Sequence, residues 1–118
     1  KNRILSGASH RLFDSLRGTN ALYSNATNAE ANESAYFTSL NSNGFTVTGN
    51  DQSSNFSGST YVGWQWNAGG STVTGYLPSG ASITSSYRAN QTSGFSVVTF
   101  TQPSASPWIG TVLPSLSS

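Results

Sequence analysis

The segment Tyr61-Val62-Gly63-Trp64-Gln65-Trp66-Asn67-Ala68-Gly69-Gly70 concentrates aromatic side chains beside a glycine loop. Two indoles at this spacing could do one kind of chemistry: their flat apolar faces are surfaces on which sugar rings stack. The same spacing also has a structural meaning. Tyr61, Gly63, Gln65 and Asn67 fall on one side of an extended chain, and Val62, Trp64, Trp66 and Ala68 fall on the other. That is period two, the pattern of a half-buried β-strand. Because the apolar residues share a face, Trp64 and Trp66 are expected in the core of a small sandwich, with Gln65 opposite. An aromatic platform for sugars is the alternative. Gly69-Gly70 ends the strand. Phe45 and Phe95 are expected to join the core, while Tyr61, Tyr76, Tyr87 and Trp108 are the aromatics assigned to glycan or partner contact.

Other chemistry is thinly supplied. A glycosidase needs two carboxylates across the scissile bond, and the chain has only Asp14, Glu30, Glu33 and Asp51. Glu30 and Glu33 lie in a polar stretch and are expected to be solvated. A Ser-His-Asp triad can be drawn from His10, Asp14 and a serine, but no Gly-x-Ser-x-Gly elbow positions the serine. His10, between Ser9 and Arg11, reads as a surface or hydrogen-bonded residue. Asn50-Asp51-Gln52-Ser53 with Asn55 offers oxygen ligands but a single formal charge, too little for tight calcium binding. Gly69-Gly70 lacks the lysine and helix of a phosphate loop. The expectation is a non-enzyme with no metal and no cofactor. Sequons at Asn25, Asn32, Asn55 and Asn90 match what chance gives in a chain so rich in Asn, Ser and Thr.

Composition narrows the class further. The chain has 118 residues, 8% charged, with a formal net charge of +1. Five basic residues cannot build the stripe that nucleic acid requires. No run of about 18 apolar residues exists to span a membrane. With no cysteine, disulfides and thiolate metal sites are excluded. The 12% aromatics and low net charge argue against disorder. Thr, Val, Tyr, Phe and Trp for strands, with Gly, Asn and Ser for turns, suit an all-β fold. The chain starts at Lys1 without methionine or signal peptide, and reads as processed or as a piece of something longer.

The elements that must position these residues are short. His10 to Arg17 is either a short helix, with Leu12, Phe13 and Leu16 together, or a strand with Leu12, Asp14 and Leu16 on one face. Gly18-Thr19-Asn20 ends it. A short strand and a loop follow over residues 21–32. Tyr36 to Leu40 reads as a strand, Asn41-Ser42-Asn43-Gly44 as a turn, and Phe45 to Thr48 as a strand with Phe45 and Val47 inward. Gly49 to Ser59 is a long polar loop. Ser71 to Thr74, Ala81 to Arg88 and Gly94 to Thr101 are further strands. No helix longer than about two turns is expected. Residues 102–118 carry three of the four prolines and read as an extended tail. Asn43-Gly44-Phe45-Thr46-Val47-Thr48 is echoed 50 residues later by Ser93-Gly94-Phe95-Ser96-Val97-Val98. The echo marks either a tandem repeat or simply two turns entering strands.

Several phrases, in order, carry a resemblance. They are Lys1-Asn2-Arg3; His10-Arg11-Leu12-Phe13-Asp14-Ser15-Leu16-Arg17-Gly18; Leu22-Tyr23-Ser24-Asn25-Ala26-Thr27-Asn28-Ala29-Glu30; and Phe37-Thr38-Ser39-Leu40-Asn41-Ser42-Asn43-Gly44-Phe45-Thr46-Val47. The tryptophan segment and Ala89-Asn90-Gln91-Thr92-Ser93-Gly94-Phe95-Ser96-Val97-Val98-Thr99-Phe100 continue it. Together, over residues 1 to about 101, they resemble a repeat domain of marine tailed-phage tail-fibre and appendage proteins. The resemblance implies an antiparallel β-sandwich of the jelly-roll or concanavalin A-like kind, and brings no catalytic residues. In that family Lys-Asn-Arg ends a strand whose first half is absent here. The Gly94-Phe95-Ser96 segment opens a next repeat that here gives way to the Pro/Ser tail. The chain thus spans the end of one repeat and the start of another. It is an excerpt, or its edges are completed by a neighbouring chain.

The expected organisation is a sandwich module over 1–101 and a tail over 102–118. The expected role is a structural, lectin-like module of a virion appendage or other extracellular fibre, with host-receptor binding. Its partners are copies of itself or other virion proteins, and a cell-surface glycan. A free-standing carbohydrate-binding module is the alternative. A sheet lacking strands at both ends exposes unpaired edges that invite another chain. The tail's Trp108, Ile109, Val112, Leu113 and Leu116 would be an aggregation hazard in water and an anchor on a neighbour. Deleting residues 102–118 is therefore expected to weaken assembly, measured by light scattering, more than it lowers the melting temperature. Normal assembly with a much earlier melt would make the tail an internal core element.

Overall fold

Every regular element is a short antiparallel strand, as a chain punctuated by Gly, Asn and Ser turns favours. The computed structural model describes residues 8–77, 79–80 and 83–102. Among them there is no helix, so the chain is all-β. The strands are β1 (Arg11–Leu12), β2 (Asn20–Tyr23), β3 (Ala31–Asn32), β4 (Phe37–Asn41), β5 (Gly44–Val47), β6 (Val73–Tyr76), β7 (Ser85–Asn90) and β8 (Phe95–Phe100). They form three open ladders: β1-β2-β3, β4-β5 and β6-β7-β8. The expected tail side chains, Trp108 included, and the Lys1-Asn2-Arg3 phrase lie outside the described residues. The chain divides into two compact units, Lys1–Gln65 and Trp66–Ser118.

In the first unit the core is an aromatic stack rather than the tryptophan pair. Phe37, 4% exposed, lies against Phe13 with ring centroids 3.8 Å apart and planes 8° from parallel. Phe45 extends the stack at 6.2 Å from Phe37. Phe45 was expected inside, yet it is 42% exposed. It ends the stack, with its ring against the backbone of Gly63. Ala21 and Ala8 supply the remaining buried apolar groups of this unit among the described residues.

Beside that stack lies a charge cluster. Arg11 on β1 pairs with Glu33 at 2.9 Å and with Asp51, and the three side chains are only 10%, 11% and 17% exposed. The guanidinium also sits 5.4 Å from the centre of the Tyr36 ring, a favourable cation–π position. The Tyr23 hydroxyl donates to Glu33 Oε1. Glu33 is therefore a buried partner and not the solvated residue expected from its polar surroundings. Arg17 plays a similar part at the turn after β1. It pairs with Asp14 and, at 2.9 Å, with Glu30. Asp14 Oδ1 accepts from the backbone N–H groups of Leu16 and Arg17 at 2.8 and 2.9 Å. That local bonding replaces the helix option for residues 10–17 with a strand and a turn.

The polar loop 49–59 is folded onto Asp51. Its side chain accepts from Ser53 N at 2.9 Å and Ser54 Oγ at 3.1 Å, and its carbonyl from Asn55 N at 2.9 Å. The Tyr61 hydroxyl accepts from Phe56 N at 2.8 Å and donates to Gln52 O at 3.1 Å. Arg11 thus ties a strand, the β3–β4 connection and this loop to one cation.

In the second unit β7 pairs with β8 over its full length, Ser85 opposite Phe100 to Asn90 opposite Phe95. Only Val73 and Tyr76 of β6 are in register with β7. Ile83 is the buried apolar residue here among those described. The sequence echo finds its explanation in the two hairpins. Both segments enter the second strand of an antiparallel pair. Gly44 pairs with Asn41 inside its ladder, while Gly94 sits in the turn at φ 66°. Both phrases thus share a turn-to-strand role, used in two registers.

The cluster sets the acid stability of the first unit. Burial alone would raise the Asp51 carboxyl; its hydrogen bond and attraction to Arg11, with Ser53 and Ser54 donating, outweigh this and hold it below its ordinary value. A depressed carboxyl stabilises the fold above its unfolded pKa of about 3.9, and that contribution is lost as pH falls through the lower folded value. Asp51→Asn should therefore lower the melting temperature at pH 7, with the gap to the parent closing below about pH 4. Arg11→Ala, which leaves two carboxylates without their cation, should cost about 3 kcal/mol in chemical denaturation. An unchanged melting temperature for both variants at pH 7 would contradict the clamp.

Candidate functional site

The tryptophan segment does not form the expected strand. After a single bridge at Tyr61 the backbone runs irregularly to Gly70. Trp64 is 61% exposed and Trp66 63% exposed. Period-two letters are necessary for a half-buried strand, but a ladder partner is also needed, and the polar residues here bond elsewhere. Asn67 Oδ1 accepts from Gly69 N at 2.9 Å, a local turn that competes with strand pairing. Gly69 then takes φ 83°, a conformation that ends extension. Phe95, also assigned to the core, is half-buried under Trp66; the rings stack at 6.0 Å with planes 20° apart.

Asn67, Gly69 and Gly70 build one wall of a groove. Gly69 approaches β7 so closely that a Cβ on it would lie 2.5 Å from the Ala89 carbonyl oxygen. Arg88 fixes the approach, its Nη2 donating to the carbonyls of Gly69 at 2.8 Å and Gly70 at 2.7 Å. These are charge-assisted bonds, which are stronger than neutral ones. The other wall is the β7–β8 turn. There Asn90 Oδ1 accepts from Ser93 N at 3.2 Å, and Ser93 Oγ donates to Asn67 O at 2.9 Å. Between the walls lies an open groove of about 780 Å³, whose lining includes Asn67, Gly69, Tyr87, Asn90, Gln91 and Thr92. Among the described residues no charged side chain lines it.

The residues assigned to partner contact separate on inspection. Tyr87 lines the groove. Tyr76 packs edge-on against Tyr87, centroids 5.2 Å apart at 79°, and supports it. Tyr61 spends its hydroxyl inside the loop 49–59 and is a staple there. Trp108 lies outside the described residues. The sequence gives the groove amides Asn67, Asn90 and Gln91 no binding role. Their signal was the pairing of two turn-like phrases, Asn67-Ala68-Gly69-Gly70 and Asn90-Gln91-Thr92-Ser93, on either side of one strand pair.

All four carboxylates of the chain are held in ion pairs by Arg11 and Arg17. Among the described residues no three acidic or histidine side chains gather as metal ligands. No helix there is long and apolar enough to cross a membrane.

The chain belongs to a family described as a domain of unknown function, DUF7483, whose pattern matches residues 1–118. No curated protein and no solved structure matches it.

The backbone contact at Gly69 generates a matched pair of variants. Gly69→Ala meets both the Ala89 carbonyl and a left-handed φ. It should cost about 2 kcal/mol. Gly70→Ala has nothing within 4 Å of the new carbon and should stay within about 0.5 kcal/mol of the parent. Equal melting temperatures for the two variants would show that the groove wall is not seated on β7.

Proposed function

We propose that the chain is a non-catalytic module of a phage virion appendage or other extracellular fibre, which contributes to host attachment by holding surface glycan in the groove of its second unit. Its ladders belong, in this reading, to a jelly-roll, concanavalin A-like sandwich completed by a neighbouring chain. The groove carries the proposal. It is open, it presents amides and a tyrosine, and the exposed Trp66 immediately precedes its wall in the chain. Shallow polar sites with a few placed hydrogen-bonding groups suit hydroxyl-rich ligands. The ordered phrases over residues 1 to about 101 support the fibre context. The open ladders support assembly, because β6 and β8 each have an outer edge that no strand among the described residues covers.

Catalysis fits the charges poorly. General acid–base work needs a carboxyl or imidazole poised near its substrate, and each carboxylate here is engaged by arginine. A free-standing carbohydrate-binding module is the second reading, favoured by a groove whose lining lies wholly within the second unit.

Light scattering and glycan binding, run on the same sample, separate these readings. The expected outcome is a discrete oligomer that binds bacterial surface polysaccharide and releases no new reducing ends. A monomer that binds would favour the free-standing module. New reducing ends would overturn the non-catalytic reading, and a monomer without affinity would overturn both.

A further inference from the structure

We infer that the groove selects uncharged sugars and that Trp66 is the platform on which one sugar ring stacks. This deepens the glycan-binding reading and rests on it.

The platform follows from how Trp66 is held. Its indole is 63% exposed while its ring stacks on Phe95. Phe95 lies against part of the ring in an offset stack and leaves most of the residue exposed. A supported, exposed indole loses little freedom when a ligand covers it, which favours binding over a mobile side chain. Trp64 is as exposed but has no ring partner among the described residues. Trp66 does not itself line the groove; it borders it as the residue before Asn67, which does line it and whose carbonyl is tied to the opposite turn through Ser93.

The ligand's charge follows from where the charges of this unit are spent. The nearest cation in sequence, Arg88, donates to the Gly69 and Gly70 carbonyls and does not line the groove. With no charged side chain among the described lining residues, a carboxylated or sulfated sugar would find no ion-pair partner there. The amides are set for a neutral ligand. Asn67 Oδ1 and Asn90 Oδ1 are both engaged by backbone N–H groups. Their orientation is thereby fixed, leaving the Nδ2 groups as donors for hydroxyl or ring oxygens. Gln91 and Thr92 add groups able both to donate and to accept.

The test is calorimetric titration of the full chain with neutral gluco-, manno-, galacto- and N-acetylglucosamine tetrasaccharides, and with uronate and sulfated counterparts. Neutral probes should bind more tightly than acidic ones. Trp66→Ala should weaken binding about tenfold, the loss of one stacking contact. Trp66→Phe should restore most of it, and Trp64→Ala should leave it unchanged. Circular dichroism and melting of each variant check the fold. In the unmutated chain, the Trp66 indole and the Asn67 and Asn90 side-chain amides should shift in NMR spectra on titration. Undiminished binding by Trp66→Ala overturns the platform, and preference for acidic probes overturns the charge selection; both leave the glycan reading standing. Failure of the unmutated chain to bind any probe overturns the inference and the reading beneath it.

Discussion

One guanidinium organises the first unit. Arg11 stands between Glu33 and Asp51, against the Tyr36 ring, with Tyr23 bonded to the far side of Glu33. Breaking such a cluster costs more than making it gains, because the charges left behind are already out of water. That asymmetry makes the cluster a device of specificity. The strand β1, the connection before β4 and the loop 49–59 have one mutual arrangement that satisfies all three ions. The burial around it is small: Phe37, Ala21 and Ala8 are the buried apolar residues of this unit among those described. An apolar core of that size would tolerate several registers, and the ions remove the alternatives.

The second unit uses its cation differently. Arg88 meets backbone carbonyls, not carboxylates. A carbonyl cannot lose its bonding capacity by protonation near neutral pH, so this contact lacks the acid sensitivity of the Arg11 cluster. Two arginines therefore hold two irregular segments in place by different chemistry. The loop 49–59 is held through a titratable side chain, and the segment 67–70 through the main chain itself.

What the sequence made legible was local. The β4–β5 and β7–β8 hairpins fell close to their expected positions, because Asn, Ser and Gly at turns act within a few residues. The end of the first element at Gly18 was legible for the same reason. The core was not. Trp64 and Trp66 had the right period, but burial depends on whether a partner strand lies alongside, and no spacing reports that. Phe37 and Phe13 became the core through a contact spanning 24 positions of sequence. Glu33 was misread because neighbours in a polar stretch say nothing of an arginine 22 residues earlier. The groove lay half in view: its glycines marked a turn, while the amides that give it chemistry looked like ordinary turn letters.

The wall of the groove that is seated on β7 has a further significance. Where Gly69 meets Ala89 the touching surfaces are backbone, and Arg88 secures them through carbonyl oxygens that any residue would provide. The frame is thus nearly independent of the letters displayed around it. Gln91 and Thr92 line the groove without taking part in the Gly69–Ala89 contact or the Arg88 bonds, so exchanging them should leave that seat intact. Gly69 and Arg88 carry that frame, and the turn beyond β7 carries the side chains displayed on it.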